Sequence, residues 1–331
     1  MGKEIKTIGI LSSGGDAPGM NAVIRAITRT ALYNGMKVIG IRRGFAGLMK
    51  GDMFEMNMRS VSDILQRGGT MLHTARSPEF VEDAGVELGK EKCLEMGIDG
   101  IVVCGGDGSF RGARDLAAKG IPCVGVPCTI DNDIPCTEYT IGFDTAVNTV
   151  TENIDRIRDT SQSHERCSVV EVMGRRCGDI ALQSAICCGA VSVLIPEVPY
   201  DLERDVVEKM QRTIRTGKRH FIVIVAEGVT LYSKDAKSSA EIADYIEKRT
   251  GFITRSTILG HIQRGGTPTA RERVIAARMG HHAVEVLARG IGNRIIAMQA
   301  NKIVDLDLEE ALKMTKELDV DMLRTAHEIS L

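Results

Sequence analysis

The chain has 331 residues, of which 43% are hydrophobic, 26% are charged and 4% are aromatic, and its formal net charge is −2. These values are typical of a globular chain long enough to bury one large core or two smaller ones. The charge offers no basic surface for nucleic acid, the absence of Trp leaves no stacking platform for single strands, and no apolar run reaches the ~18 residues of a membrane span.

The nine cysteines indicate a reducing compartment. Their number is odd, none lies in a Cys-x-x-Cys motif, and Cys187 is adjacent to Cys188. We therefore expect neither a zinc site nor a disulfide framework, and interpret the cysteines as small buried residues. The first residues lead directly into a strand-like run without an apolar secretory segment, so we expect a cytoplasmic protein.

Apolar runs and helical patterns alternate along the first 126 residues. The runs expected to form strands are 7–12, 36–41, 100–104 and 121–126. The patterns expected to form helices are 20–34, 61–66, 86–96 and 110–119. This alternation predicts an α/β fold, in which helices cover both faces of a parallel sheet.

The second half of the chain repeats the alternation, and neither a Pro-, Ser- or Gly-rich linker nor a fixed-period repeat marks a domain boundary. The runs expected to form strands are 167–172, 191–195, 220–226, 256–259 and 294–299. The expected helices are 179–188, 205–216 and 240–250. Composition alone therefore does not locate a boundary.

Five residues with suitable chemistry follow expected strands: Gly15, Asp107, Asp131, Met173 and Glu227. Ligands of open parallel sheets bind beyond the carboxyl ends of the strands. We therefore expect these residues to contribute to one site.

The run from Pro127 to Pro135 reads Pro-Cys-Thr-Ile-Asp-Asn-Asp-Ile-Pro and places the Thr129 hydroxyl close to the carboxylates of Asp131 and Asp133. Because a proline at either end disfavours a continued helix, we expect a short rigid loop. An Asx turn between prolines would explain one aspartate, but not a hydroxyl and two acids together.

The run Gly105-Gly106-Asp107-Gly108-Ser109 ends the strand upstream of that loop. Its glycines would let backbone amides approach phosphate oxygens, and Asp107 would hold Mg²⁺. Taken alone, the run is equally compatible with a tight turn in which Asp107 caps a helix. Together with the loop that follows, it predicts phosphoryl transfer.

These two runs and the earlier Gly-Gly-Asp-Ala-Pro-Gly-Met-Asn at 14–21 resemble the 6-phosphofructokinases, specifically the bacterial ATP-dependent type. The resemblance extends from Gly14 to about Arg294. It implies an α/β fold of two three-layer α/β/α domains with mainly parallel sheets. The ATP-binding domain is expected at 1–140 plus 255–305, and the fructose 6-phosphate domain at 141–254 plus 306–331.

The resemblance implies transfer of the γ-phosphoryl group of ATP to the C1 hydroxyl of fructose 6-phosphate, with Mg²⁺ as cofactor. The implied ATP contacts are Gly15, Arg76, Ser77, Gly106, Asp107, Gly108 and Ser109, with Asp107 as the metal ligand. Pyrophosphate-dependent members usually carry Asp at position 108, so Gly108 favours ATP. Cys128 replaces the usual glycine or lysine and excludes only an ammonium contact.

The resemblance makes Asp131 the general base, Thr129 a residue that orients the transferred phosphoryl group, and Arg175 a further catalytic residue. The implied sugar-phosphate contacts are Thr129, Ile130, Asp131, Arg166, Met173, Gly174, Arg175, Glu227, Arg255, His261 and Arg264. Arginine and histidine suit a phosphate dianion. Because the residues matching Arg166 and Arg255 reach a neighbouring subunit in the family, a homotetramer with shared active sites is implied.

Bacterial members often bind ADP or phosphoenolpyruvate at a second site between subunits. The matching residues are Arg25, Arg29, Arg158 and Lys218. Arg25 and Arg29 share a helix face, which without the resemblance is better interpreted as a solvated basic face. Three positions depart from the family pattern: Val191 replaces a carboxylate that ligates Mg²⁺, Thr216 replaces a cation, and Met58 replaces an arginine. We therefore expect activation by Mg-ADP to be weakened or lost.

Three other interpretations compete with an ATP-dependent kinase. A pyrophosphate-dependent enzyme is disfavoured by Gly108. A catalytically silent nucleotide-binding paralogue is disfavoured by the retained acids Asp107 and Asp131. A lipid or dinucleotide kinase sharing only the glycine turn would leave the runs 173–175 and 260–266 unexplained.

Overall fold

The computed structural model describes residues 5–232 and 236–330, and contacts between Cα atoms divide them into two units. The first unit comprises 5–145 and 264–316, and the second comprises 146–232, 236–263 and 317–330. The chain thus crosses between the units three times. Each junction lies somewhat after the boundary expected from the sequence.

The first unit is built on an eight-stranded sheet. Its strands are β1 Thr7–Ser12, β2 Lys37–Ile41, β3 Met53–Met56, β4 Gly100–Gly105, β5 Cys123–Thr129, β6 Ile141–Gly142, β11 Arg294–Gln299 and β12 Lys302–Asp307. Their order is β12-β11-β5-β4-β1-β2-β3, with β6 paired to β5. The interior pairings are parallel, and the antiparallel strands β12 and β3 form the edges.

The helices of the first unit pack on this sheet because their apolar faces match its buried strands. They are α1 Met20–Tyr33, α2 Gly44–Lys50, α3 Asp83–Glu95, α4 Asp107–Ala118, α10 Ala270–Ala288 and α11 Leu308–Lys313. All six residues of β4 are buried, as expected of a parallel strand covered on both faces. On one face the Phe45 and Phe80 rings stack with centroids 4.2 Å apart.

The second unit has a four-stranded sheet in which all pairings are parallel. Its strands are β7 Cys167–Val172, β8 Ser192–Leu194, β9 Phe221–Ala226 and β10 Thr254–Ile258, in the order β10-β7-β9-β8. Its helices are α6 Asp179–Cys188, α7 Glu208–Arg215, α8 Glu227–Tyr232, α9 Ser239–Thr250 and α12 Val320–Glu328, and α5 Phe143–Ser163 begins in the first unit. The predicted α/β class with mainly parallel sheets is confirmed.

One predicted helix is wrong. Residues 61–66 form turns rather than a helix, and Asp63 has a φ of 54°. A left-handed residue interrupts the run of right-handed dihedrals that a helix needs. Over the ranges 5–232 and 236–330, the helices lack the combined length and apolar character needed to cross a bilayer.

Candidate active site

Two motifs follow adjacent strands of the first unit at the same edge of the sheet: the glycine turn, residues 105–109, and the acidic loop, residues 127–135. β4 and β5 are parallel neighbours, with Gly105 opposite Pro127. A Cβ atom built on Gly106 would lie 3.8 Å from Thr129 Cβ. The two motifs singled out from the sequence therefore lie side by side at this edge of the sheet.

Asp107 is the first residue of α4, directly after Gly106 at the N-cap. The helix has no side-chain cap, so the alternative that Asp107 caps it through its side chain is wrong. Nε and Nη2 of Arg111, one turn later, donate to the Asp107 carboxylate at 3.0 and 3.2 Å. This hydrogen bond raises the pKa of Arg111.

The Asp107 carboxylate fits the role of a magnesium ligand. Its side chain is 44% exposed, so an incoming cation can reach it. Among residues 5–232 and 236–330, His, Cys, Asp and Glu form no cluster of three or more that could hold a metal ion. Mg²⁺ often binds one or two protein carboxylates and completes its shell with substrate phosphates and water.

The glycine-rich loop at 14–19, between β1 and α1, lies close to Arg264, which also belongs to the first unit. A Cβ atom on Gly15 would lie 2.6 Å from Nη1 of Arg264, so a side chain at this position would displace the guanidinium group. The same Nη1 donates to the Asp16 carbonyl at 3.3 Å. Arg264 is therefore positioned against the glycine loop.

The segment that carries Arg76 and Ser77 is tied to this loop by two hydroxyl groups. The Thr74 hydroxyl donates to the Gly14 carbonyl at 2.7 Å, and the Ser12 hydroxyl donates to the His73 carbonyl at 2.8 Å. Arg76 is exposed, whereas the Ser77 hydroxyl is buried without a hydrogen-bond partner among the described residues. Both residues thus follow a segment anchored beside the loop that begins at Gly14.

Hydrogen bonds from side chains hold the acidic loop, residues 127–135, in its conformation. Pro127 lies inside β5 and does not begin the loop. Asn132 adopts a φ of 52°, and its Oδ1 accepts the Thr140 N–H at 3.1 Å. The Thr140 hydroxyl donates to the Thr129 carbonyl at 2.7 Å, and the Asp131 N–H donates to the Thr129 hydroxyl at 3.2 Å. Side-chain hydrogen bonds therefore fix this loop more directly than the prolines do.

Several of the predicted site residues in the first unit are almost completely buried. Asp131 is 3% exposed, Thr129 is 9% exposed and Ile130 is fully buried. Ser109 is also buried, and its hydroxyl donates to the Ser13 carbonyl at 3.1 Å. These residues are held by the fold, whereas Asp107 and Arg76 are open to solvent.

In the second unit, Met173, Gly174 and Arg175 follow β7. Oε1 of Glu227 accepts the backbone N–H groups of Gly174 at 3.2 Å and Arg175 at 2.7 Å. Gly174 has a φ of 136° and Arg175 a φ of 54°. For an arginine the left-handed conformation costs about 1–3 kcal/mol, and such residues cluster at functional sites.

Gln263 is a buried residue of this group that the sequence analysis did not assign. Its Oε1 accepts the Met173 N–H at 3.1 Å, and its Nε2 donates to the Gly260 carbonyl at 3.0 Å. It thereby joins the turn after β7 to the short 3-10 helix Gly260–Arg264, in which His261 is exposed. The sequence signal that could have identified Gln263 is its place in the run 260–266, beside His261 and Arg264.

Two predicted contacts lie apart from this turn. Arg166 precedes β7, and Arg255 is the second residue of β10, which runs parallel to β7. Both are therefore at the amino ends of their strands, whereas Met173 follows the carboxyl end. A strand of this length spans about 20 Å. Within this chain, the described fold does not bring the two arginines to the Met173 turn.

The residues expected to bind an effector are divided between the two units. Burial and the neighbouring Arg29 lower the pKa of Arg25 in the first unit. In the second unit, burial and the neighbouring Arg158 lower the pKa of Lys218. Val191 is fully buried.

Comparison with known proteins gives a consistent result. A sequence model of the family described as Phosphofructokinase matches residues 7–287. Proteins named ATP-dependent 6-phosphofructokinase from Bacillus cytotoxicus and Lysinibacillus sphaericus are each 52% identical to this chain over 327 residues. Each match covers 99% of this chain and 100% of the relative.

Solved structures agree with these sequence matches. A phosphofructokinase from Saccharomyces cerevisiae superposes with a TM-score of 0.88 and 35% identity, covering 98% of this chain and 48% of the yeast chain. A pyrophosphate-dependent phosphofructokinase from Marinobacter aquaeolei gives a TM-score of 0.84 at 22% identity, covering 96% of this chain and 86% of its own. The second match concerns the fold alone.

Proposed function

The chain belongs to the phosphofructokinase family, and from this membership and the site geometry we infer that it is an ATP-dependent 6-phosphofructokinase. It transfers the γ-phosphoryl group of ATP to the C1 hydroxyl of fructose 6-phosphate, which gives fructose 1,6-bisphosphate and ADP in the committed step of glycolysis. The observation that supports the assignment of roles is that the glycine turn at Gly106 and the acidic loop at Thr129 follow adjacent parallel strands, so close that a Cβ atom on Gly106 would lie 3.8 Å from Thr129 Cβ.

On the acceptor side, we assign Asp131 as the general base. Its carboxylate would take the proton of the C1 hydroxyl as the oxygen attacks the γ-phosphorus, a role that contributes ~10²–10⁴-fold to the rate. The hydrogen bonds of Thr140 support this role because they hold the loop before substrate arrives. Thr129, at the end of β5, would orient the phosphoryl group, and Arg175 would stabilise its charge.

On the donor side, we propose that the backbone amides at the start of α4 bind the phosphates of ATP. A helix amino terminus offers free N–H groups and a favourable dipole. Among the residues that the structure describes, a Cβ atom on Gly108 would meet no heavy atom within 4 Å, which supports room for the nucleotide there. Asp107 would hold Mg²⁺, which when bound neutralises phosphate charge.

For the sugar phosphate, we propose that the turn 173–175, Glu227 and His261 supply contacts. Oε1 of Glu227 already accepts two backbone N–H groups, so Glu227 would shape the turn as well as bind sugar hydroxyls. Arg166 and Arg255 would complete the site of a neighbouring subunit in a homotetramer. Their position at the amino ends of β7 and β10 supports this assignment.

At the effector site, we propose that Arg25, Arg29, Arg158 and Lys218 bind phosphate groups but that Mg-ADP activates weakly or not at all. The buried isopropyl group of Val191 supports this, because it has no oxygen to offer a metal ion. Saturation curves for fructose 6-phosphate should change little when Mg-ADP is added. A strong leftward shift at micromolar Mg-ADP would contradict the proposal.

A steady-state assay tests the function and the assigned base together. The wild-type protein is assayed with ATP or pyrophosphate as donor, and with fructose or fructose 6-phosphate as acceptor. We expect turnover with ATP and fructose 6-phosphate, and a loss of ~10²-fold or more in kcat for Asp131→Ser while the fold stays intact.

Asp321→Ser serves as the matched control, because this aspartate is 85% exposed on α12 and its side chain pairs with Arg324 at the surface. Turnover with pyrophosphate but not ATP would overturn the assigned donor. A wild-type kcat for Asp131→Ser would overturn the assigned base.

A further inference from the structure

Glu272, in the first turn of α10, is a fully buried carboxylate that the mechanism above does not use. Its Oε1 accepts the Tyr139 hydroxyl at 2.7 Å. Its Oε2 accepts the Thr145 backbone N–H at 3.1 Å and the Thr145 hydroxyl at 2.9 Å, and the Gly142 backbone N–H also donates to the carboxylate. Four donors thus converge on one group, which an ionised carboxylate satisfies because it only accepts.

The segment 139–145 supplies these donors, and it also holds the acidic loop that contains Thr129 and Asp131. In the pairing of β5 with β6, Thr129 lies opposite Gly142. The Thr140 N–H donates to Asn132 Oδ1 at 3.1 Å, and the Thr140 hydroxyl donates to the Thr129 carbonyl at 2.7 Å. The loop is therefore attached to the segment on both sides of Asp131.

The glycine-rich loop before α1 packs against the same group of residues. A Cβ atom on Gly19 would lie 2.7 Å from Ile141 Cγ2 and 3.0 Å from Glu272 Cγ. A Cβ atom on Gly142 would lie 2.6 Å from Ala17 Cβ. With so little free space, a shift of the segment 139–145 must also move this loop.

We propose that Glu272 is a positioning residue for phosphoryl transfer: its ionised carboxylate fastens the segment 139–145, which in turn holds Thr129 and Asp131 in the reactive geometry. This inference rests on the proposed function. Glu272 acts through the segment and not on the substrate, so its loss should lower kcat more than it changes KM. A misplacement of about 1 Å at reacting groups can reduce the rate by ~10²-fold.

The charge of Glu272 is sensitive to pH in the neutral range. Burial raises its pKa to about 7, although the hydrogen bonds from Gly142, Tyr139 and Thr145 oppose that rise. Protonation turns one carboxylate oxygen into a donor that faces other donors, which weakens the attachment of the segment. Turnover should therefore fall on the acid side of neutrality.

Four other ionisable groups face Glu272, and the two of them whose pKa is raised do not account for such a change. Tyr139 and Asp144 face it from the segment, Cys128 from β5 and Arg271 from its own helix, where the guanidinium group lies 5.1 Å from the Tyr139 ring centroid. Burial raises the pKa of both the Tyr139 phenol and the Cys128 thiol, so both stay neutral where Glu272 titrates. The Asp144 carboxylate accepts the Thr269 hydroxyl, which caps α10.

The first test compares kcat for wild type and Glu272→Gln from pH 6 to pH 9. The glutamine has the same shape but cannot ionise. We expect wild-type kcat to fall with an apparent pKa of about 7 on the acid side. The variant should have a kcat roughly tenfold to 10²-fold lower at pH 8, no acid limb and nearly unchanged KM values. A wild-type kcat or a retained acid limb in the variant would overturn the proposal.

A second variant covers the case in which Glu272→Gln does not fold. Tyr139→Phe keeps the ring but removes one donor that favours the ionised carboxylate. It should raise the apparent pKa of the acid limb above the wild-type value, and an unshifted limb would count against Glu272. Glu285→Gln, a half-exposed position on the same helix, changes the charge equally and should keep the wild-type profile.

The pH dependence of Tm reports the protonation of Glu272 independently of turnover. The folded-state pKa of about 7 lies above the ordinary value of 4.5, so the folded protein binds more protons between these values. The stability contributed by Glu272 is present below pH 4.5 and is lost as pH rises through about 7.

The Tm of Glu272→Gln relative to wild type should therefore increase between pH 5 and pH 8, and a constant difference would contradict the proposal. Failure of wild type to phosphorylate fructose 6-phosphate at pH 8 would instead refute the proposed function, because the thermal result does not depend on it.

Discussion

The carboxylate of Asp107 is shared between a neighbouring arginine and an expected cation. Arg111 holds it by two hydrogen bonds, but both side chains are about half exposed, so the pair is worth only ~0.3–0.5 kcal/mol. A divalent cation with a triphosphate attached can displace so weak a partner. The pair therefore keeps the acid oriented without closing the site.

Removing this arginine should make magnesium bind more easily. In Arg111→Met the free Mg²⁺ concentration that half-saturates binding of a non-hydrolysable ATP analogue should fall roughly twofold, the equivalent of the pair energy. Equilibrium binding of a fluorescent analogue measures this without turnover. Arg114→Met, which breaks the neighbouring pair with Asp115, is the control. A higher magnesium requirement in Arg111→Met would show that the arginine assists binding.

At the scale of elements, the sequence predicted the strands that carry the site better than the contacts that fix it. β1, β4, β5, β7 and β9 are buried apolar runs that end in glycine, acid or Met-Gly signals, all of which are local. Glu272 and Thr145, which are hydrogen-bonded, are 127 residues apart in the sequence. An acid in the first turn of a helix also ordinarily indicates a solvated helix start. No local pattern distinguishes that case from a buried carboxylate.

Other elements escaped prediction for physical reasons that can be named. α2 contains Gly44 and Gly47, which are poor helix formers. β3 is a four-residue edge strand that is mostly only half-buried, so it lacks a strong apolar run. The roles of the site residues themselves came from the family resemblance. The geometry adds how Thr140, Gln263 and Glu272 hold them.

Gln263 offers a test of whether one side chain couples two elements. In Gln263→Ala the Met173 N–H and the Gly260 carbonyl lose a part-buried hydrogen-bond partner, so the protein should lose about 1–3 kcal/mol of stability. KM for fructose 6-phosphate should rise while KM for ATP stays constant, because the link that fixes the position of His261 relative to the 173–175 turn is lost. Gln162→Ala, an exposed position on α5, is the control. Equal changes in both KM values would argue against a local effect.

At the scale of the whole molecule, the placement of Arg255 makes a prediction about assembly. If this arginine serves a neighbouring subunit, Asp131→Ser and Arg255→Ser damage different halves of one shared site. Mixing the two inactive variants under dissociating conditions and reassembling them should restore activity, because some sites would receive an intact Asp131 and an intact Arg255. Each variant reassembled alone is the control, and no recovery in the mixture would place both residues in one subunit's site.

The distribution of thiols should allow this protein to be labelled at a single site. All nine cysteines lie in the part of the chain that the structure describes, where eight are buried and Cys187 is exposed at the end of α6. Burial raises the pKa of its neighbour Cys188 to about 11, so that sulfur stays a poorly reactive thiol. A maleimide dye should therefore label one position of the unaltered chain. Cys188 also accepts a hydrogen bond from Arg158 through its carbonyl, so the dye would report on ligands that reach that arginine.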